Sequence, residues 1–295
     1  QGDDRCIFKL GWCFLSVVIP RTLQDALVAT AANPTAQIIQ GGTDLMVEIN
    51  FNHFKPEHIV ALRKVEELRQ YSLGADSKSV HIGSGVPYKV LEAEPFLSIV
   101  PALAQASRTV GSPQIRSAGS LGGNLGTCSP AGDGLPVLSA LDAVIHLRSI
   151  DEQRDILIHD FMVGVKRNAR KDDEIITGVT MPILRGFQGY SKVGVRNAMV
   201  ISVASACLAV DEVGSTVRIA LGAVGPTIIR CRETEQWLST EVDIASSKFS
   251  NSIAVEFGRR AALEARPIDD HRSTAEYRRH AISVLAQRLL LKANS

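Results

Sequence analysis

This sequence lacks a surplus of charge of either sign and lacks long apolar runs. Its 295 residues carry 32 Lys and Arg against 31 Asp and Glu, a formal net charge of +1. Without a basic surplus there is no electrostatic case for binding nucleic acid or an anionic membrane. The apolar run at residues 13–20 (CFLSVVIP) is too short to span a bilayer. We therefore expect a globular cytoplasmic protein of roughly two domains.

Cysteine is also scarce. The five cysteines, at positions 6, 13, 128, 207 and 231, are widely spaced and include no CxxC pair. An odd number at such spacings argues against a disulfide framework, and against a zinc or iron–sulfur site made by this chain alone. We interpret them as free thiols in a reducing compartment.

Familiar catalytic and nucleotide-binding motifs are missing as well. The sequence contains no HExxH, no serine in a GxSxG elbow, no GxxxxGK[ST] and no GxGxxG. These absences exclude the common metalloprotease, hydrolase, P-loop and Rossmann signatures. A chain without its own nucleophile, base and acid is typical of a protein whose bound cofactor carries the chemistry.

What the sequence does contain is two glycine-rich segments, at residues 40–45 (QGGTDL) and 120–133 (SLGGNLGTCSPAGD). Glycine lets the backbone approach a ligand closely and adopt positive φ. Consecutive backbone N–H groups can then bind an anion, and two such loops would grip a diphosphate from both sides. Thr43, Ser120, Asn124 and Asp133 add side-chain partners. Each segment alone is equally typical of a simple turn between elements.

Hydrophobic periodicity and turn residues predict the elements around these segments. We expect a boundary near residues 184–189, loop structure for residues 120–124, and a capping box of Ser273 and Glu276 on the last helix. Helices are predicted at 22–31, 99–110, 135–141, 253–265 and 274–293, and strands at 36–39, 58–62, 80–83, 143–147, 175–181, 190–195, 202–210 and 217–224.

Three stretches, residues 37–50 (QIIQGGTDLMVEIN), 111–143 (GSPQIRSAGSLGGNLGTCSPAGDGLPVLSALDA) and 190–202 (YSKVGVRNAMVIS), together resemble the FAD-binding subunit of the molybdenum hydroxylases. That family includes xanthine, nicotinate and carbon monoxide dehydrogenases. The resemblance extends from about Pro20 to the C-terminus and includes residues 265–280 (ARPIDDHRSTAEYRRH).

The resemblance implies an α+β fold. An FAD-binding domain of the vanillyl-alcohol-oxidase (PCMH) type would span residues 20–183, with subdomains at about 20–60 and 61–183. A smaller C-terminal domain at 184–295 would contain a three-stranded antiparallel sheet and a helical bundle. Residues 1–19 match no pattern of the family and remain unassigned.

The resemblance also implies which residues bind the cofactor. The first loop would hold the FAD diphosphate, the second would complete that grip, Asp133 would bind a sugar or ribityl hydroxyl, and Lys192 would lie near the flavin end. No catalytic or metal-binding residue is expected in this chain. The expected cofactor-binding residues are Ile38, Ile39, Gln40, Gly41, Gly42, Thr43, Asp44, Leu45, Val110, Ser120, Leu121, Gly122, Gly123, Asn124, Asp133, Ile176 and Lys192.

The sequence departs from the family pattern at three positions in or next to the two glycine-rich segments. Gln40 stands where Ala is usual, which adds bulk beside the diphosphate, and Ser117 stands where Asn is usual. Ser120 replaces Thr but keeps the hydroxyl. One branch of the family inserts a cysteine-rich loop for an extra iron–sulfur cluster. The run from Asn124 to Asp133 has no room for it, and Cys128 alone cannot hold a cluster.

The implied function is electron transfer through non-covalent FAD, from partner iron–sulfur clusters to NAD or another acceptor. The molybdenum cofactor and [2Fe–2S] clusters would lie only on partners, a molybdopterin-binding large subunit and an iron–sulfur small subunit, in a dimer of heterotrimers. Two alternatives remain at this stage: a self-sufficient flavin-dependent oxidoreductase of the same fold, and a non-redox nucleotide-binding module.

Overall fold

The computed structural model describes residues 5–10, 13–246 and 248–294, with the side chains of all of these except residues 5–14 and 246. Of the unassigned amino-terminal segment, residues 1–4 and 11–12 lie outside the described residues, as do the side chains of Cys6 and Cys13.

The first region is a four-stranded sheet in the order β1-β2-β4-β3 with two helices. β1 and β2 form an antiparallel hairpin, whereas β2 and β3 each pair with β4 in parallel. The Thr22 hydroxyl caps the first helix by accepting from the Asp25 amide. Its elements are β1 (Arg5–Leu10), β2 (Cys13–Val18), α1 (Leu23–Ala32), β3 (Gln37–Ile39), α2 (Leu45–Asn50) and β4 (His58–Ala61).

The second region is an antiparallel five-stranded sheet in the order β5-β6-β11-β7-β8, covered on one face by short helices. The 3₁₀ turns Leu62–Lys64 and Glu66–Arg69 lead into it from the first region. Its elements are β5 (Tyr71–Leu73), β6 (Ser79–Gly83), α3 (Tyr88–Leu91), α4 (Phe96–Ile99), α5 (Pro101–Thr109), α6 (Pro113–Ala118), α7 (Leu121–Thr127), α8 (Gly134–Ala140), β7 (Val144–Arg148), β8 (Gln153–Leu157), α9 (Ile158–Phe161), β9 (Met162–Gly164), β10 (Arg167–Asn168) and β11 (Ile175–Pro182).

The third region is an antiparallel sheet backed by helices. The prediction of three strands was wrong, because the sheet has four, in the order β12-β13-β14-β15. The fourth strand has two residues, too few to show the alternation by which a strand is recognised. Its elements are β12 (Gln188–Val193), β13 (Ala204–Asp211), β14 (Thr216–Gly222), β15 (Ile229–Arg230), α10 (Arg232–Glu241), a 3₁₀ turn at Ile244–Ser246, α11 (Asn251–Glu264) and α12 (Ala275–Lys292).

Two further expectations about helix ends were wrong. The last helix begins one residue later than predicted, because the Thr274 hydroxyl accepts from the Tyr277 amide and caps it in place of Ser273. With Thr274 as the cap, Glu276 is not in the capping-box position. Residues 120–124 are not a loop, because Ser120 caps α7 and the glycines form the first turns of that helix.

The sheet of the third region is buried on both faces. Alternate residues of β13 face opposite directions. Cys207 and Ala209 join the core of the second region, whereas Ala206 and Leu208 join the core formed with α10, α11 and α12. The second and third regions therefore share one continuous apolar interface.

Asp142 adds charged contacts to that interface. Its carboxylate accepts from His159 at 2.9 Å and from Arg230 at 2.6 Å, and Arg218 lies 3.5 Å away. Burial alone would raise the pKa of Asp142, but His159, Arg230 and Arg218 outweigh it and lower the pKa to about 2.

We expect the Asp142→Asn substitution to make the free energy of unfolding depend less on pH in the acid range. Because the folded pKa lies below the unfolded one, the ionised carboxylate contributes stability above about pH 4, and this contribution is lost as the pH falls towards 2. Allowing for solvent screening of a partly exposed group, the loss at pH 7 should be about 1 kcal/mol. Urea unfolding from pH 7 to pH 3 measures this, with the exposed Glu241→Gln as control. Parallel pH profiles for wild type and D142N would contradict it.

A second prediction concerns the packing of α11 against α12. A Cβ at Gly258 would lie 2.2 Å from the Ser283 carbonyl oxygen, so Gly258→Ala must push the helices apart and should cost about 1–3 kcal/mol. Gly126→Ala is the matched control, because a Cβ there meets no atom within 4 Å. It should be neutral or stabilising by up to about 1 kcal/mol. Equal unfolding midpoints for the two variants would refute the packing argument.

Candidate functional site

The first glycine segment is a tight connection from β3 to α2. Gly42 has φ +71°, in the left-handed region that favours glycine. A Cβ at Gly41 would lie only 1.9 Å from the Ala118 carbonyl oxygen, so the loop presses its bare backbone against the end of α6. On the other side of this contact, Thr43 Oγ1 lies 3.3 Å from the Cβ position of Gly119.

The second glycine segment packs just as closely. The Ser120 hydroxyl accepts from the Gly123 amide at 3.1 Å and fixes the start of α7. A Cβ at Gly122 would lie 2.4 Å from the Ser84 Cβ, so α7 rests directly on the chain that leaves β6. Thr127 at the end of α7 donates to Asp44 Oδ2 at 3.2 Å. The structure therefore brings the two predicted segments together, although about eighty residues separate them in sequence.

A third glycine turn, which the sequence reasoning did not assign to the site, completes this region. It is Gly83-Ser84-Gly85, which begins at the last residue of β6. A Cβ at Gly85 would lie 2.8 Å from Gln40 Nε2, so the side chain that departs from the family pattern packs against this turn. The GSG sequence after a strand was the available signal, but it also fits an ordinary strand end.

Several polar groups at this junction have no hydrogen-bond partner among the described residues. Within the described part of the chain, no acceptor is present for the backbone amides of Gly41, Gly42 and Thr43. Three buried side-chain atoms there are likewise unpaired: Gln40 Oε1, Tyr88 OH and Asn124 Oδ1. The last two lie 3.3 and 3.2 Å from the Cβ position of Gly134. Buried polar groups are normally satisfied, so a polar ligand is the natural partner for this set.

Asp133 lies beside the glycine turns in a buried hydrogen-bonded network. Its Oδ1 accepts from Tyr190 at 2.8 Å and from Ser202 at 2.6 Å, and its Oδ2 accepts from Lys192 at 2.6 Å. The Thr109 hydroxyl lies 3.3 Å from Oδ2 and 2.8 Å from the Ala106 carbonyl oxygen, and its single proton can go to either. When it donates to Ala106, Oδ2 can accept from one more donor, because a carboxylate has about four acceptor positions. Burial raises the pKa of Tyr190, and the Asp133 charge raises it further, so this phenol stays protonated as a donor.

Lys192 connects three parts of the chain through that network. Besides Asp133, its ammonium donates to the Thr109 carbonyl at 3.0 Å and to the Val200 carbonyl at 3.1 Å. All three ammonium protons are therefore used. Its side chain is only 10% exposed, so Lys192 is not a solvated surface lysine. Tyr190 and Ser202, which anchor the same carboxylate, were missed because hydroxyl residues in a buried strand and loop carry no sequence signal.

The remaining predicted residues belong to elements of the first and second regions. Val110 ends α5 in an extended conformation, and Ile176 lies in β11 next to the irregularity between Ile176 and Gly178. Ile38 and Ile39 are half-buried in β3, and Leu45 begins α2. Leu121 is buried in the first turn of α7.

Among the side chains that the structure describes, at residues 15–245 and 248–294, no group of three or more His, Cys, Asp or Glu is arranged to hold a metal ion. Cys128, Cys207 and Cys231 are free and buried, and burial raises the pKa of Cys128 to about 11. None of the described helices is long and apolar enough to cross a membrane.

Comparison with protein families identifies both halves of the chain. Residues 11–184 match the model "FAD binding domain in molybdopterin dehydrogenase", and residues 190–293 match "CO dehydrogenase flavoprotein C-terminal domain". The chain belongs to the family of FAD-binding subunits of the molybdenum hydroxylases.

Individual relatives agree with this assignment. The chain is 35% identical over 231 residues to the nicotinate dehydrogenase FAD-subunit of Eubacterium barkeri, which covers 74% of this chain and 77% of that protein. It is 27% identical to the glyceraldehyde dehydrogenase medium chain of Sulfolobus acidocaldarius, covering 92% and 96%. Among solved structures, a chain of quinoline 2-oxidoreductase from Pseudomonas putida 86 superposes with a TM-score of 0.87 at 25% identity, covering 97% and 98%.

We expect Lys192→Met to be strongly destabilising because it leaves the buried Asp133 carboxylate without its counter-charge. Removing one partner of a buried ion pair typically costs about 3–5 kcal/mol. The double variant D133N/K192M should recover part of that loss, since no uncompensated charge remains. Urea unfolding of the two single variants and the double measures the coupling.

The matched control for this cycle is Lys166→Met. Lys166 pairs with Glu48 at 2.7 Å but is 51% exposed, so its loss should cost less than about 1 kcal/mol. Equal destabilisation by K192M and K166M would contradict the network described above.

Proposed function

We propose that this chain binds FAD non-covalently and serves as the electron-transfer subunit of a molybdenum-containing dehydrogenase. The observation that carries the proposal is the junction of the glycine turns, where three consecutive loop amides have no acceptor in the described chain. Consecutive N–H donors and hydroxyls suit a diphosphate held by backbone.

The residues present fit the cofactor in the following way. Ile38 to Leu45 and Ser120 to Asn124 hold the diphosphate, with the Gly41–Thr43 amides as donors. Asp133 would accept from a hydroxyl of the sugar or ribityl chain through the position on Oδ2 that is open when Thr109 donates to the Ala106 carbonyl. Val110, Ile176 and Lys192 line the rest of the path. Each of these assignments is our proposal, and the unpaired groups Gln40 Oε1, Tyr88 OH and Asn124 Oδ1 support it.

Once bound, FAD supplies redox chemistry in steps of one or two electrons. The chain contributes binding and orientation. Close backbone packing at Gly41 and Gly122 fixes where the anionic centre lies, and the Asp133–Lys192 network fixes β12 and the residues that follow it. The chain's role is then to pass electrons from the iron–sulfur clusters of a partner to NAD or another acceptor.

The assembly is proposed from the relatives. They include an FAD-subunit, a medium chain and, in solved structures, chains of carbon monoxide dehydrogenase. We propose a molybdopterin-binding large subunit and an iron–sulfur small subunit as partners, in a dimer of heterotrimers. A cytoplasmic location is part of this proposal and rests on the free thiols Cys128, Cys207 and Cys231.

The two alternative functions are less well supported. A self-sufficient flavin oxidoreductase would need its own substrate site, whereas the relatives are named as subunits of larger dehydrogenases. A non-redox nucleotide-binding module would not belong to a flavoprotein family.

The test is binding of FAD by the purified chain. We expect flavin absorption bands that pass into the supernatant on heating, since no covalent link is formed. Gly41→Ala should weaken FAD binding at least about tenfold, because a Cβ 1.9 Å from the Ala118 oxygen forces the loop away from α6. Gly126→Ala is the control and should bind normally. If the wild-type protein bound no added FAD, the proposal would be refuted. If the G41A variant had a normal melting temperature and bound FAD normally, the assignment of the diphosphate to this loop would be refuted.

A further inference from the structure

Arg278 is a buried cation that the cofactor-binding assignments do not include. It lies in the first turn of α12, within the stretch 265–280, and is only 4% exposed. A buried charge is costly unless it is paired and hydrogen-bonded. Its Nη2 donates to Asp270 Oδ1 at 2.6 Å, and that oxygen also accepts from the amides of Arg272 and Ser273, at 2.8 and 3.1 Å. The turn before α12 therefore fixes the orientation of the guanidinium.

The other terminal nitrogen of Arg278 connects the ends of two strands. Nη1 donates to the Val203 carbonyl at 2.9 Å and to the Ala223 carbonyl at 2.7 Å. At this end of the sheet, the last pair of β13 and β14 is Ser205 with Gly222. The two carbonyls therefore lie just beyond the ladder, and Arg278 joins the strands where their own hydrogen bonds end.

Both strand ends contact the second glycine segment. The Ala223 amide donates to the Pro130 carbonyl at 2.7 Å. On the other strand, the Ser202 hydroxyl donates to Asp133 Oδ1 at 2.6 Å. Arg278 thus binds the carbonyl of Ala223 itself and the carbonyl of the residue that follows Ser202. The part of the chain between Pro130 and Asp133 is held at both ends.

Ala223 adopts a conformation that depends on these contacts. Its φ is +61°, in the left-handed region that a residue other than glycine seldom occupies. Such a residue persists there when its surroundings hold it. Pro130 binds its N–H and Arg278 binds its carbonyl, so both peptide groups of Ala223 are fixed. Without Arg278, one of these two supports is lost.

The held part of the chain, called here the 130–133 segment, positions groups of the candidate site. A Cβ at Gly132 would lie 2.4 Å from Asn124 Nδ2, so the segment packs directly on the Asn124 amide. Asn124 Oδ1 is one of the buried atoms that have no partner among the described residues. A shift of the segment would therefore move both the Asp133 carboxylate and this unpaired amide oxygen.

We propose that Arg278 is a positioning residue for the candidate site and that it holds the 130–133 segment in the conformation that receives the ligand. The identity of that ligand, FAD, rests on the proposed function. The third region then contributes to the site in two ways. Lys192 and Tyr190 bind Asp133 directly, whereas α12 acts through Arg278 and the two strand ends. The stretch 265–280 thereby has a role that requires no contact with the ligand.

The test compares two variants of the third region. Arg278→Met removes the three hydrogen bonds of the guanidinium, while Asp270 keeps its two backbone donors. The matched control is Gly258→Ala, which strains the packing of α11 on α12 at Ser283. This control shows what general destabilisation of the third region does to the site, because Gly258 lies outside the path from Arg278 to the 130–133 segment.

The measurements on the purified chain are amide hydrogen exchange of Ala223 by NMR, without FAD, and FAD affinity by fluorescence titration. In folded R278M we expect Ala223 to exchange at least about tenfold faster than in wild type. We expect the dissociation constant for FAD to rise about tenfold. G258A should resemble wild type in both. Wild-type values in R278M, or equal changes in R278M and G258A, would overturn the proposal.

The exchange measurement separates this proposal from the proposed function. If the wild-type chain bound no FAD, the proposed function would be refuted. Faster exchange of Ala223 in R278M alone would then still support the hold of Arg278 on the 130–133 segment. Unchanged exchange would overturn it whatever the result with FAD.

Arg278→Lys covers a failure of R278M to fold. The ammonium keeps the positive charge, but its single nitrogen cannot bind Asp270 and both carbonyls as the guanidinium fork does. We expect R278K to weaken FAD binding by about threefold, and to do so less than R278M where that variant folds. Wild-type FAD affinity and wild-type exchange of Ala223 in R278K would overturn the positioning role.

A double variant tests the route through Ser202. Ser202→Ala removes one hydrogen bond to Asp133. Because Arg278 and Ser202 act on the same carboxylate, R278K/S202A should raise the dissociation constant for FAD by less than the product of the two single effects. A double effect equal to that product would overturn the route through Ser202.

Discussion

The approach of the Gly41 backbone to the Ala118 carbonyl is the constraint on which the candidate site depends. At a Cβ distance of 1.9 Å no side chain can be present, so the β3–α2 loop and the end of α6 can meet only as bare backbone. This contact places the unpaired amides of Gly41 to Thr43 beside the start of α7. Gly122 makes the same kind of close contact with Ser84. The glycines therefore set where the proposed diphosphate would lie, and they also supply its backbone donors.

A buried ion pair then relates this centre to the third region. Asp133 and Lys192 belong to the two parts of the chain that match separate family models, and both are nearly inaccessible to solvent. Through the Thr109 and Val200 carbonyls, Lys192 also fixes the turn after α5 and the loop after β12. The apolar face shared by β13 and the second region supports the pair by keeping water away. Loss of either the charge pair or the glycine contact would disturb the same site.

Much of this was visible in the sequence, for physical reasons. Glycine clusters indicate close backbone approach, and the longer strands follow from local patterns. The helix begun by Ser120 was missed because glycine is a poor helix former, yet the cap and the packing of Gly122 on Ser84 override that preference. The two-residue strand β15 and the partners of Asp133 depend on contacts between distant residues, which no local pattern encodes.

The family and its cofactor rest on the combination of motifs rather than on any one of them. Either glycine segment alone fits an ordinary turn, and the assignment of individual cofactor contacts remains a proposal. The most direct test is the crystal structure of the chain soaked or grown with FAD. The account predicts the diphosphate between the Gly41–Thr43 amides and the start of α7 at Ser120, with the flavin ring towards Lys192. A diphosphate bound elsewhere, with the Gly41 to Thr43 amides still unpaired, would contradict it.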